Sequence, residues 1–168
     1  MNIFVLDENP KLAAQYHCDK HVVKMILESA QMLSTAHAVI DNNGKQVEGM
    51  YKPTHVNHPC NIWVRESAAN YYWLLQLFQY LLEEYTYRYS KHHKCEEMDP
   101  LLWVPPNNID IPPTERKIAL DVSPFAIAIA DLSLIIPGYP VDSYRQYYRE
   151  EKRHIAKWTK RATPYWWN

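Results

Sequence analysis

Residues 17–24 bring two imidazoles, a thiol, a carboxylate and two amines into one short stretch of the chain. The apolar residues that follow predict a helix, in which His17, His21, Lys24 and Glu28 at i, i+4, i+7 and i+11 share one face. A polar face on an otherwise apolar helix is uncommon where only folding matters, because each buried polar group must find a hydrogen-bond partner. We therefore expect the functional site on this face.

The side chains of this stretch suit two kinds of chemistry on a phosphorylated substrate. Imidazoles and ammonium groups donate hydrogen bonds to phosphate oxygens. A lysine amine that burial and neighbouring cations keep neutral can attack an electrophilic sugar carbon, with a carboxyl group as acid or base. The candidate catalytic residues are Asp19, Lys20, His21, Lys24 and Glu28, and His17 is a candidate for substrate binding.

A metal site is an alternative use of the two histidines. The i, i+4 spacing of His17 and His21 lets both imidazoles reach one divalent ion, with Glu28 or a histidine elsewhere in the chain as third ligand. Lys20 and Lys24 lie beside the pair and favour an anion over a dication. We predict no cofactor, and a divalent metal stays open as the alternative.

A second polar segment precedes the next predicted helix. His55, Asn57 and His58 stand directly before Pro59, which is a common first residue of a helix. A helix N-terminus attracts anions, so these three side chains are candidates for substrate binding. Arg65 and Arg88, further along the same predicted helix, join the candidates for binding phosphate.

The C-terminal part of the chain is basic and aromatic. Residues 144–161 hold seven Lys or Arg against two Glu, a local net charge of +5, whereas the whole chain carries −1. Charges for phosphates and rings for bases are typical of a nucleic-acid surface. The candidate binding residues here are Arg145, Lys157, Trp158, Arg161 and Trp166, with the two tryptophans as stacking partners for a displaced base.

Composition excludes several classes of protein. Three glycines among 168 residues are too few for a Gly-rich phosphate loop or a dinucleotide fingerprint. Three widely spaced cysteines predict no disulfide framework and favour a reducing cytoplasm. The chain shows no signal peptide and no membrane-spanning run. We expect a cytoplasmic protein whose partner is a nucleic acid or nucleotide and not a membrane; the sequence does not predict its oligomeric state.

The predicted elements form a single all-α domain over residues 1–168. Helices are predicted over residues 11–40, with a break near His17, over 60–92 and over 141–160. Residues 2–6 form either a short strand or a buried extended arm. Residues 118–136 are apolar and fit a helix or a strand. The site should lie between the first helix, the loop at 55–60 and the C-terminal helix.

This order of elements resembles a known family. The short N-terminal arm, the helix start at residues 12–15 and the Lys-Pro-Thr segment at 52–54 before a long helix are similar to the small all-helical phage pyrimidine-dimer DNA glycosylases of the endonuclease V type. The Cys-Asp-Lys-His run at 18–21 also resembles a hallmark of phage proteins with no assigned activity. A phage origin would mean the cytoplasm of the host cell.

The resemblance implies a particular nucleophile and a particular acid. That family attacks with the α-amine of residue 2, exposed when Met is removed, and uses a glutamate of the first long helix. Asn2 is not small enough for efficient removal of Met1, so Lys20 or Lys24 is expected to supply the amine. Asp19 or Glu28 would stand in for the glutamate.

Three functions follow from these observations. The first is an enzyme acting on nucleic acid or nucleotides by base excision or base modification. The second is a metal-dependent hydrolase or nuclease that uses His17 and His21. The third is a non-catalytic inhibitor that binds a nucleotide or a protein. Metal analysis and turnover of a DNA substrate distinguish the three.

Overall fold

Helices and short 3₁₀ turns make up the regular structure in the computed structural model, which describes residues 1–110 and 122–168. The helices are α1 (Pro10–Tyr16), α2 (Asp19–Asp41), α3 (Pro59–Val64), α4 (Ala68–Tyr89), α5 (Asp99–Leu102) and α6 (Pro140–Glu151), and the 3₁₀ turns are Lys94–Met98, Leu132–Leu134 and Arg153–Ile155. The described residues contain no strand, which confirms the predicted all-α fold. None of the helices in these two ranges has the length and apolar character needed to cross a membrane.

The centre of the fold is the packing of α4 against α2 and α1. Apolar side chains three and four residues apart on both long helices are fully excluded from solvent. On α2 these are Val22, Met25, Ile26, Met32 and Leu33, and on α4 they are Leu74, Leu77, Phe78 and Leu81. This core fixes which face of α2 remains available for a site.

The first predicted helix is interrupted where a break was expected. Asn9 caps α1 by accepting hydrogen bonds from the N–H groups of Lys11 and Leu12. The chain becomes extended at His17 and Cys18, and α2 begins at Asp19. The break turns the imidazole of His17 back towards α1, where it bonds the carbonyl of Ala13 at 2.7 Å.

The predicted single helix over residues 60–92 is wrong: the chain forms α3 and α4 with a bend between them. Ser67 caps α4 by accepting from the N–H of Asn70 at 3.2 Å, and the N–H of Ala68 donates to the carbonyl of Asp110 at 2.9 Å. Apolar periodicity continues through the bend, so the pattern alone does not show it. α4 ends at Tyr89, with Ser90 in the left-handed region at φ 54°.

The predicted C-terminal helix over residues 141–160 is also too long. α6 ends at Glu151, a 3₁₀ turn follows, and the rest of the chain is irregular. This last segment returns to the start of α2, where the N–H of Asp19 donates to the carbonyl of Lys157 at 2.8 Å. Contacts with the helix start replace the backbone bonds that a longer α6 would have made.

The N-terminal arm is extended and buried, and the alternative of a short strand is wrong. Residues 2–6 are all buried yet pair with no strand, and Phe4 adopts a left-handed φ of 52°. Of the apolar segment 118–136, residues 118–121 lie outside the described residues. Residues 122–136 form neither of the two predicted structures, since only a 3₁₀ turn at Leu132–Leu134 interrupts their irregular path.

Candidate active site

The N-terminal arm brings the start of the chain to Glu28. The backbone N–H of Asn2 donates to Oε2 of Glu28 at 2.7 Å, and the amine nitrogen of Met1 lies 3.9 Å from the same oxygen. Glu28 is 8% exposed, so its carboxylate meets these nitrogens in a largely water-free setting. At 3.9 Å the amine and the carboxylate form an ion pair, and a proton can pass between such groups through one bridging water.

Asn2 holds the arm in place with its side chain. Its amide Nδ2 donates to the carbonyl of Ala128 at 2.7 Å, and its Oδ1 accepts from the N–H groups of Ile3 at 2.8 Å and Phe4 at 3.0 Å. The Phe4 ring stacks on His21 with centroids 4.5 Å apart. The left-handed backbone of Phe4 costs roughly 1–2 kcal/mol, which these bonds and the stacking offset.

The side chain of Met1 is buried beside Glu28. Its side chain is 2% exposed, and Nδ2 of Asn61 in α3 donates to its sulfur at 3.0 Å. The same Nδ2 lies 3.0 Å from the carbonyl oxygens of Thr54 and His55. Two carbonyl acceptors fix the orientation of the Asn61 amide, because only its NH₂ group can face them.

The two candidate lysines lie on the exposed side of α2. Lys20 is exposed, and the side chain of Lys24 is 61% exposed with its Nζ 3.2 Å from Oε1 of Glu28. Burial, which would keep a lysine amine neutral, is therefore missing at both positions. Lys24 belongs to the same site as Glu28, as a solvated cation at its edge.

The loop before α3 borders the amine. Nδ1 of His58 accepts from the N–H of Cys60 at 3.2 Å, which leaves the ring's other nitrogen as the donor. Burial lowers the pKa of His58, the positive charges of the N-terminal amine and of His55 lower it further, and only the Glu28 carboxylate opposes them. The pKa of His58 therefore depends on the charges of both the N-terminal amine and Glu28.

His55, Asn57 and Arg65 play different parts in that loop. His55 is exposed with a left-handed φ of 47°, and its Nδ1 bonds the hydroxyl of Thr54 at 2.7 Å. Asn57 is exposed. Arg65 donates to the carbonyl of Val56 at 2.6 Å and so holds the loop to the end of α3. Only the backbone of His55 reaches the amine site, through Asn61.

His17 and His21 are buried neutral rings. Burial lowers the pKa of His17 to about 4 and that of His21 to about 3. The nitrogens of His17 face the carbonyls of Ala13 at 2.7 Å and Ile3 at 3.3 Å, and Nδ1 of His21 is hydrogen-bonded to the hydroxyl of Tyr148. Within residues 1–110 and 122–168, no three His, Cys, Asp or Glu side chains are grouped as metal ligands, so the metal alternative lacks a donor set there.

Asp19 and Arg88 form a buried ion pair at the N-terminus of α2. Nη1 of Arg88 donates to Oδ1 of Asp19 at 3.0 Å, and the carboxylate also accepts from the N–H and hydroxyl of Thr159 at 2.9 and 2.7 Å. Nine residues at 1.5 Å rise separate Asp19 from Glu28 by about 14 Å along the axis. Asp19 joins segments of the fold and lies apart from the amine.

Both candidate arginines of the C-terminal region form ion pairs with carboxylates. Nε of Arg145 donates to the carbonyl of Leu6 at 2.9 Å, and its Nη2 lies 3.0 Å from Oδ2 of Asp7. Nε of Arg161 donates to Oε1 of Glu84 at 2.7 Å. Both guanidinium groups tie the ends of the chain to the helical core.

The tryptophans predicted to stack on a base also pack internally. Trp158 is half-buried and donates from Nε1 to the carbonyl of Tyr16 at 2.8 Å, and Trp166 is 8% exposed. Lys157 is exposed, and only its backbone is engaged, by Asp19. Of the C-terminal candidates, Lys157 alone presents its charge to solvent.

Sequence reasoning missed the residues that build the amine site. Met1 and Asn61 gave no signal, because their contact depends on a loop packing against the arm. Asn2 was noted only as an obstacle to removal of Met1, whereas its side chain anchors the arm. Lys152 was also missed: it lies 4.7 Å from the Tyr147 ring centre, and both it and Lys24 act electrostatically on His21.

Comparison with known proteins gives one match. No curated protein matches the chain, and no solved structure matches it. Residues 1–97 match the family model of pyrimidine dimer DNA glycosylases, a span that contains α1 to α4, the arm and Glu28. The match covers more than half of the chain and agrees with the resemblance seen in the sequence, so the chain belongs to the pyrimidine dimer DNA glycosylase family.

Proposed function

We propose that this protein excises a damaged base from DNA, with the amine at Met1 as nucleophile and Glu28 as acid and base. The observation that carries the proposal is the position of Oε2 of Glu28, 2.7 Å from the nitrogen of Asn2 and 3.9 Å from that of Met1. The family name makes a pyrimidine dimer the first substrate to test.

The chemistry requires one nucleophile and one proton carrier. The lone pair of the amine attacks C1′ of the deoxyribose, and the base leaves with the electron pair of the C1′–N bond. Glu28 accepts a proton from the attacking nitrogen and returns it to the departing base. The nitrogen lone pair then opens the C1′–O4′ bond, giving an iminium at C1′ while O4′ takes a proton from water.

The N-terminal amine suits this task better than either lysine does. Lys20 and Lys24 are exposed, and Lys24 is engaged with Glu28. The α-amine of Met1, in contrast, lies beside a nearly buried carboxylate, and the Met1 side chain packs against Asn61. If Met1 is removed in the cell, the nitrogen of Asn2 becomes the amine and already lies at bonding distance from Glu28.

The cations around the site suit a polyanionic substrate. Lys20 and Lys24 on α2, together with Lys152 beyond α6, offer ammonium groups that can contact phosphates on both sides of a bound nucleotide. None of the three has to enter the reaction. Their contribution is to bind the strand and so to hold C1′ near the amine.

Borohydride trapping tests the proposal. Incubation with a duplex that contains one abasic site and borohydride should give a covalent adduct, because hydride reduces the iminium at C1′ to a stable amine. Peptide mapping should place the adduct on the amine of Met1, or of Asn2 after processing. An adduct on Lys20 or Lys24, or none at all, would refute the proposed nucleophile.

A paired substitution tests the acid and base. Glu28→Gln should abolish excision of a pyrimidine dimer, since an amide cannot carry the proton. Glu83→Gln, at an exposed position of α4, is the matched control and should act as the parent does. Full excision by Glu28→Gln would exclude Glu28 from the reaction.

A further inference from the structure

Met1 is held by contacts on both sides of its Cα atom. The peptide that follows it is fixed because the N–H of Asn2 donates to Oε2 of Glu28 at 2.7 Å. Its side chain is 2% exposed, and Nδ2 of Asn61 lies 3.0 Å from the sulfur. The first residue of a chain has no preceding peptide group, so it depends on such contacts for a fixed position.

The side-chain contact determines where the amine lies. With the peptide after Met1 fixed, the amine can still move by rotation about the Cα–C bond. The amine and the side chain leave the same tetrahedral carbon and must turn together. A methionine side chain is unbranched and flexible, so only a contact near its end stops this rotation. The Asn61–sulfur contact therefore holds the α-amine beside Glu28.

Asn61 is well suited to hold the sulfur, because its own amide is fixed. It lies in the first turn of α3 and is 1% exposed. Its Nδ2 lies 3.0 Å from the carbonyl oxygens of both Thr54 and His55. The two hydrogens of this NH₂ group face three acceptors, the sulfur included, so its orientation is fixed.

Stability alone does not account for asparagine at this position. Oδ1 of Asn61 is buried and accepts no hydrogen bond from residues 1–110 or 122–168. A buried acceptor without a partner lowers stability and requires an explanation, which a role for the other end of the amide supplies. Resting on the proposed function, we propose that Asn61, acting through the sulfur of a retained Met1, positions the α-amine for attack.

The positioning role requires that Met1 stays on the chain. Its removal would empty the space beside Asn61 and would move the α-amine to Asn2. The intact mass of protein purified from cells should therefore include Met1. A mass without Met1 would overturn the inference, whereas a borohydride adduct on Asn2 would still support the amine chemistry.

Substitutions at Met1 test the contact without altering the loop before α3. Cleavage of a fusion protein directly before residue 1 leaves a chosen residue there with a free α-amine. Met1→Ala should slow excision of a pyrimidine dimer about tenfold to a hundredfold, because small displacements of a reacting group have effects of this size. DNA affinity should stay within about twofold of the parent's, since the lysines that face phosphates are unchanged.

Met1→Leu isolates the sulfur. Leucine keeps much of the apolar volume but offers no acceptor to Asn61, so excision should remain slowed about fivefold or more. This variant leaves the Asn61 amide bound to its two carbonyls, so it decides the question even if substitutions of Asn61 do not fold. Parental excision by Met1→Leu would show that Asn61 does not act through the sulfur.

A double-mutant cycle separates positioning from a structural role of Asn61. Asn61→Ala should slow excision about as much as Met1→Ala does, and the double variant should be no slower than the slower single variant. If Asn61 only supported the loop, the two losses would multiply. Asn107→Ala, at an exposed asparagine beyond α5, is the matched control and should act as the parent does.

The outcomes separate this inference from the proposed function. If the parent forms an adduct with abasic-site DNA and Met1→Ala excises as fast as the parent, the positioning role is wrong. Equal losses of excision rate and DNA affinity would also overturn it, because the side chain would then serve binding. If the parent forms no adduct, the proposed amine chemistry itself fails.

Discussion

Arg88 at the end of α4 donates to the carboxylate of Asp19 at the start of α2 across 3.0 Å. The side chain of Arg88 is 0% exposed and that of Asp19 is 12% exposed, so the pair is held away from water. Arg88 also donates to the backbone carbonyls of His17 at 2.9 Å and Gln15 at 2.9 Å. One guanidinium thus closes the break between α1 and α2, and its ion pair with Asp19 stabilises the fold there.

Asp19→Ala should lower the free energy of unfolding by roughly 3 kcal/mol, because the buried guanidinium loses its closer carboxylate. Among the described residues it keeps only Glu84, whose Oε1 lies 3.6 Å from Nε of Arg88 and already accepts from Arg161. Urea denaturation at neutral pH measures the change. Asp142→Ala is the matched control: the side chain of Asp142 is 55% exposed and 3.9 Å from Arg145, so its loss should cost about 0.5 kcal/mol or less. Equal stability of the two variants would contradict the structural role of the Asp19–Arg88 pair.

Much of the fold follows from local sequence, whereas the site does not. The apolar spacing on α2 and α4 predicts two long helices because each must bury one face, and the polar stretch at His17 indicates the break. The bend before α4 depends on Ser67 acting as a cap, a role that several nearby residues could have filled. Apolar periodicity does not show which residue caps the helix.

The roles within the first helix depend on contacts far apart in the chain. Asp19 and Glu28 are both carboxylates on α2, and nothing in their local sequence shows which of them contacts Arg88 and which contacts the N-terminal arm. Arg88 and Thr159 engage Asp19, and the N-terminal arm engages Glu28. The sequence therefore predicts a helix that carries both carboxylates, but only tertiary contacts distinguish one carboxylate from the other.

The protein should lose stability as the pH falls below about 6.5, the ordinary histidine value. Burial lowers the pKa of His17 to about 4 and that of His21 to about 3 in the folded protein. The unfolded chain therefore binds protons first, so stability is complete above pH 6.5 and declines towards pH 4 and 3. Each ring contributes up to about 1.4 kcal/mol per pH unit in that interval.

Urea denaturation at several pH values between 7 and 4.5 checks this dependence. His21→Phe removes one titrating ring while keeping an aromatic surface for Phe4, so the variant should show a shallower decline with falling pH whatever its absolute stability. His154→Gln, at an exposed position, should retain the parent's slope. Constant stability of the parent across this range would show that the two rings are not held neutral by the fold.

Substitutions at Lys157 and Arg161 should have different effects, the first on DNA affinity and the second on stability. The ammonium group of Lys157 is exposed, so Lys157→Ala should reduce the dependence of DNA affinity on salt by roughly one unit of slope and leave stability unchanged. Arg161 instead donates to Glu84, which is 3% exposed, so Arg161→Ala should cost about 1–3 kcal/mol of stability by leaving a buried carboxylate short of a donor. Binding titrations at three salt concentrations, with urea denaturation of the same variants, measure both effects. A stable Arg161→Ala variant with a reduced salt slope would return Arg161 to the DNA surface that its sequence predicts.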